Sequence, residues 1–114
     1  MSTPKRGLRI DPDGTVTEVT VDGLDSMQAV VGGLIELIQF HDGSMYVNEE
    51  GLLDGLPINP VASKLYGGYV VGSALCLGNG DRHGNDTHIT KSFAARITAT
   101  AESFADFLAN NANV

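Results

Sequence analysis

Tryptophan is absent from this 114-residue chain, and cysteine occurs once. A lone Cys76 excludes an intramolecular disulfide, and with it the disulfide-stapled class of small secreted folds. Within the apolar run SALCLG (residues 73–78) it reads as a small buried hydrophobe rather than a nucleophile. Basic residues are scarce: seven against fourteen acids give a formal charge of −7, a field that repels phosphate backbones and anionic lipid. A basic protein surface, a neutral ligand or a metal suits that field better. Long apolar runs are missing too, since YVVGSALCL falls far short of the roughly 20 residues that cross a bilayer. The N-terminal MSTPKRGLRI carries charge, but DPDGT follows it at once, so it lacks the apolar stretch of a secretory signal. The expected location is the cytoplasm, with neither membrane nor nucleic acid as partner.

What is present suffices for one core. With 42% hydrophobic residues over 114 positions, a single domain spanning 1–114 is expected, with residues 1–6 as an N-terminal tail. GLRIDPDGTVTEVTVDG reads as a hairpin: Pro12 presets φ, Asp13-Gly14 turns the chain, and Val16, Val19 and Val21 follow. The step from Val16 to Val19 is out of phase by one, which calls for a bulge or a change of buried face. Leu24, Met27, Val30 and Val31 keep helical spacing, and Gly32-Gly33 stops the helix. LIELIQF is apolar on both faces, as in a central strand, and His41-Asp42-Gly43 turns it into SMYVN, a second hairpin. Asn59 is placed to cap a short helix with Pro60 at its first position. YVVGSALCLG is the most apolar strand, with Gly72 marking a bulge or a close approach.

Further on, GNGDRHGNDTHIT reads as an exposed, mobile loop over 78–90. KSFAARI fits strand or helix equally. Ala101, Phe104, Ala105 and Leu108 define an amphipathic C-terminal helix over 98–110, with Thr98 or Thr100 as cap. The sum is an α+β domain: a mostly antiparallel sheet of hairpins with short helices packed on it. The first hairpin or the SMYVN strand is expected as an edge, and a homodimer through such an edge is a further expectation.

The succession IDPDGTVTEVTVDGLDSMQAVVGGLIELI, YVNEEGLLDGLPINPVAS and GGYVVGSALCLG resembles the domain of unknown function 3846 family of bacteriophages, plasmids and actinobacteria. The resemblance runs from Leu8 to Gly78, and YVNEEG followed by GLPINP is its most specific part. It implies a small cytosolic protein of a mobile element or its host, with no established activity.

Chemistry has few places to sit. Asn48, Glu49, Glu50 and Gly51 suit a turn after a strand, with glycine supplying a positive φ. On a functional reading, Tyr46, Asn48, Glu49, Glu50 and Asn59 present polar groups beside a Leu56-Pro57 rim that grips a ligand or a partner backbone. Asp81, His83, Asp86 and His88 crowd into one loop as weak candidate metal ligands, without the paired Cys or His spacing of structural zinc sites. Ser44, Ser63, Ser73 and Cys76 have no evident base except His41, which reads as a turn residue. GGYVVG lacks the ending of a phosphate loop. Tyr46, Tyr66 and Tyr69 have no basic stripe beside them for nucleic acid. Acids at Asp11, Asp13, Glu18, Asp22, Asp25, Glu49, Glu50 and Asp54 are too scattered to mimic DNA. The family resemblance, with no catalytic constellation beside it, therefore implies a non-catalytic accessory protein of a phage or actinobacterial mobile element that acts by binding a host protein. The alternative is a small-ligand protein that binds or sequesters a nucleotide or metabolite. No cofactor is expected.

Overall fold

Why the valines of the second strand change phase is answered by the two faces of one sheet. A computed structural model describes residues 3–111. Its elements are β1 (Lys5–Ile10), β2 (Val16–Val21), α1 (Leu24–Val31), β3 (Ile35–Phe40), β4 (Gly43–Asn48), α2 (Pro60–Tyr66), β5 (Ala74–Leu77) and α3 (Lys91–Asn111). The strands form one sheet in the order β2-β1-β5-β4-β3, and every neighbouring pair is antiparallel. The fold is α+β.

Both sheet faces are covered. On one side Leu8, Ile10, Met45, Ala74 and Cys76 join Val61 and Ala62 of α2 and Phe93 and Ile97 of α3. On the other, Leu75 and Leu77 pack with Met27 and Val31 of α1. Val16 packs against the first cluster and Val19 against the second. The β1–β2 register runs without interruption from Lys5↔Val21 to Ile10↔Val16, so the phase change is a change of buried face and not a bulge. β5 is buried at every position, as a central strand covered on both faces must be.

Four local expectations need correction. LIELIQF is not central: β3 is an edge strand, and the SMYVN strand, β4, is internal. Apolar residues on both of its faces reflect packing of Ile35 under α1 and of Ile38 and Phe40 under the other layer. The glycine-containing strand is shorter than read, because Gly72 takes φ +74° and ends the extended run before β5. Its missing Cβ leaves room for Leu56 Cδ1, which would lie 2.8 Å away. The tail stops earlier than residue 6, since β1 begins at Lys5; Met1 and Ser2 lie outside the described residues.

The C-terminal helix begins at Lys91, not at Thr98. Its cap is Thr90, whose Oγ1 accepts the Phe93 amide at 3.2 Å. Phe93 and Ile97, one turn apart, are both fully buried, and this tertiary anchor decides KSFAARI in favour of helix. Elsewhere the caps are those expected: Gly32 ends α1 with φ 89°, and Asn59 caps α2 with Pro60 behind it.

Candidate functional site

After β4 the chain makes successive turns. Asn48 Oδ1 accepts the Glu50 amide at 2.8 Å, Gly51 N–H donates to Asn48 O at 3.2 Å, and Leu56 N–H returns to Gly51 O at 3.0 Å. Asn48 is buried and supports the turn, as asparagine side chains commonly do. Gly51 does not have a positive φ; a glycine is required because a Cβ would lie 2.6 Å from Val71 Cγ2.

The GLPINP loop is tied down by its own polar groups. Asn59 is fully buried; its Nδ2 donates to Ile10 O and Gly72 O, each at 2.9 Å, and its Oδ1 accepts the Ala62 amide at 3.1 Å. Both donors are used and the side chain is fully buried, so it is not presented to a ligand. Ser63 Oγ bridges to Val70, accepting its N–H at 2.9 Å, and Gly72 N–H donates to Pro57 O at 2.8 Å. Asn48, Asn59 and Ser63 therefore build the loop, and Leu56 fills the space at Gly51 and Gly72.

What the loop leaves outside includes large apolar side chains. Leu52 is 77% exposed and Leu53 89%. Ile58, Tyr66 and Tyr69 are exposed as well. A groove of about 210 Å³ opens between Ile38 and Val47 of the sheet, Leu52 of the turn, Tyr66 at the end of α2 and Tyr69 beyond it, with Glu36 and Glu49 on its rim. Glu49, Glu50 and Pro57 are exposed. Of the residues singled out in this segment, the structure buries Asn48 and Asn59 and leaves Glu49, Glu50 and Pro57 in the open, together with Leu52 and Leu53, which sequence reasoning passed over.

Tyr46 does not join this groove. It packs on the α1 side of the sheet, and its hydroxyl donates to Asp86 Oδ1 at 2.5 Å. Burial first, and then the Asp86 carboxylate, raises the phenol pKa well above its usual value. The 78–90 loop is thereby anchored: Gly78 N–H donates to Thr87 O at 3.0 Å, Thr87 Oγ1 to Asn79 O at 2.6 Å, and Gln39 bonds Asn79. Its four candidate ligands diverge. Asp81 accepts the His83 and Asn85 amides, which hold its carboxyl below the usual value. His88 Nδ1 accepts the Arg6 amide at 3.0 Å, and Asp86 serves Tyr46. Among the described residues no three His, Cys, Asp or Glu side chains converge on a possible metal position.

A second concavity, about 620 Å³, lies between α2 and α3 and is walled by Val61, Ala99, Phe104 and Phe107 with Lys64 and Arg96 at its margin. Arg96 is held in place by a bidentate pair with Asp42, at 2.9 and 2.8 Å, and its guanidinium lies 5.2 Å from the ring centroids of Phe40 and Phe93. The sequence gives no local sign of this pair, whose members are separated by 54 positions.

A family model described as Domain of unknown function (DUF3846) matches residues 5–102. The chain belongs to that family. The DUF3846 match runs past Gly78 through the histidine-containing loop and into α3, farther than the resemblance read from Leu8 to Gly78. The crystal structure of small RNA methyltransferase HEN1 is similar at TM-score 0.61 with 17% identity, over 86% of this chain. That similarity is one of fold, and this DUF3846 chain spans 16% of that chain's length. None of the curated proteins matches.

Proposed function

We propose that this DUF3846 domain is a non-catalytic module that docks on a protein, and that the partner belongs to the host of the phage or other mobile element encoding it. The observation that carries the reading is the groove lined by exposed Leu52, Tyr66 and Tyr69 with Ile38 and Val47, with Leu53 and Ile58 also exposed in the same stretch of chain. Contiguous exposed apolar surface rimmed by polar groups marks interaction sites, and tyrosines supply large contact area at low entropic cost. Glu36 and Glu49 line the groove in a chain of net charge −7, so the complementary surface is apolar at its centre and basic at its edge. The family's occurrence in phages and plasmids supports the host context.

The test is affinity capture from host lysate at native abundance, comparing the wild-type chain with a Leu53→Asp/Tyr69→Ala variant of unchanged melting temperature. One defined host protein retained by the wild type and lost by the variant is the expected result. Equal capture by both, or capture of none, removes the reading.

A second reading has its own observation. The α2/α3 groove falls within the 300–1,000 Å³ typical of small-molecule sites and joins apolar walls to the Lys64 ammonium, which suits a small metabolite with an apolar body and one negative group. Native mass spectrometry of protein from its own host would show the adduct, and Ala99→Trp, which fills the groove, would abolish it. A bare mass in the wild type argues against this ligand.

A further inference from the structure

β3 ends the sheet, and among the described residues it pairs only with β4. Which of its backbone groups are free follows from one bond. Glu49 N–H donates to Leu34 O at 2.8 Å, and in an antiparallel ladder the residues bonded to a given neighbour alternate. Leu34, Glu36, Ile38 and Phe40 therefore turn their amides and carbonyls toward β4. Ile35, Leu37 and Gln39 turn theirs outward.

The edge is lightly protected, with Glu36 its one charged side chain. Natural sheets blunt such edges with proline, lysine, bulges or very short strands. β3 is six residues long, IELIQF, and pairs in unbroken register from Ile35↔Asn48 to Phe40↔Gly43. It has no proline and no lysine, and Leu37 is 49% exposed on it.

We propose that β3 pairs with β3 of a second copy, antiparallel about a twofold axis at Leu37, so that the two sheets become one. This does not rest on the docking reading above. In that register Leu37 faces Leu37 of the second copy and Ile35 faces its Gln39, each an outward residue meeting an outward residue, as a bonded ladder requires. Glu36 lies opposite Ile38, so no carboxylates meet across the ladder, and Leu37 is covered by its own counterpart. The opposite edge of the sheet does not offer this. Asp11 N–H bonds Thr15 O at 2.9 Å, so β2 turns Val16, Glu18 and Thr20 outward, and the equivalent bonded register about Glu18 sets two carboxylates face to face. Self-complementarity of this kind is what a twofold interface demands of a single surface.

Light scattering coupled to size exclusion, over micromolar to submillimolar chain, tests it. The expected mass is twice the 12.0 kDa of the chain. Leu37→Pro removes an outward N–H that β4 does not use, a place where an edge strand tolerates proline, and should give a monomer with unchanged circular dichroism. Leu37→Lys, which leaves the backbone intact, should do the same and covers the case in which the proline variant fails to fold. Paired Cα atoms at a bonded position lie about 5.5 Å apart, within disulfide reach, so oxidised Leu37→Cys should cross-link to a dimer while Thr20→Cys on β2 should not. A monomeric wild type, a dimer that survives Leu37→Lys, or equal cross-linking from both cysteines overturns the proposal. So does a monomer whose β3 edge takes up a strand of another protein instead.

Discussion

Asn59 concentrates three structural duties in one buried amide: it caps α2 and holds the carbonyls of Ile10 and Gly72. Replacement by alanine removes the cap, worth about 1 kcal/mol, and strands two carbonyls at about 1–3 kcal/mol each where water does not reach. Asn59→Ala should therefore lower stability by about 3–7 kcal/mol in urea titration, without altering any surface group. Cys76 is buried under α3, and burial pushes its thiol up to about 12. Since the thiolate is the reactive form, iodoacetamide at mildly alkaline pH should leave the native chain unlabelled and label it fully in denaturant. Asp42 titrates in the opposite sense. The bond from Arg96 holds its carboxyl below the ordinary 3.8, so the folded chain binds fewer protons there than the unfolded one. Its stabilising contribution is complete above 3.8 and is lost as pH falls toward the lowered native value. Asp42→Asn should flatten that acid limb of the melting temperature and leave the shape of the curve above it unchanged.

The hairpin and the helix that crosses it depend on each other. Gly43, the first residue of β4, gives up its side-chain position to the Phe93 ring, and any Cβ there would overlap that ring. Phe93 in turn stacks near Phe40 at 5.8 Å between centroids and is fully buried. Phe93→Ala should cost about 3–5 kcal/mol, and Gly43→Ala about 1–3 kcal/mol through overpacking, both by urea titration. α3 is unevenly held: Phe93 and Ile97 are buried, whereas Phe107 and Leu108 are 61% and 48% exposed. Hydrogen exchange should show amides near Ile97 opening only with the whole domain and those beyond Phe107 exchanging much faster. The helical spacing of Ala101, Phe104 and Leu108 was legible in the sequence. The start at Lys91 was not, because Phe93 and Ile97 acquire their meaning only against Met45 and Cys76. β3 was misplaced for a related reason. An edge strand covered by helices on both faces has the composition of a central one, and composition does not record hydrogen-bonding neighbours.

For the chain as a unit, two surfaces bear on association: the Leu52–Tyr66–Tyr69 groove and the open edge of β3. Each copy carries a charge of −7, and like charge opposes close approach until salt screens it. The apparent dimer dissociation constant should therefore fall as ionic strength rises from low to physiological, whereas capture of a basic partner should weaken over the same range. Measuring both in one salt series separates the two surfaces. A common trend in both would show that one of the two assignments is wrong.

The sequence by itself determined what local chemistry determines. Asp13-Gly14 and Gly32 turn the chain, Asn59-Pro60 starts a helix, and alternating valines make a hairpin, because each rests on backbone preferences that act within a few residues. The tertiary structure alone decided strand order, the Asp42–Arg96 pair and the separation of Tyr46 from the groove. It also decided the exchange of roles in YVNEEGLLDGLPINP, where Asn48 and Asn59 turned inward and Leu52 and Leu53 outward. That exchange follows from geometry. Asn48 and Asn59 lie where backbone groups of the turn, β1 and the segment before β5 need partners, and a buried peptide group left unbonded costs more than an exposed leucine.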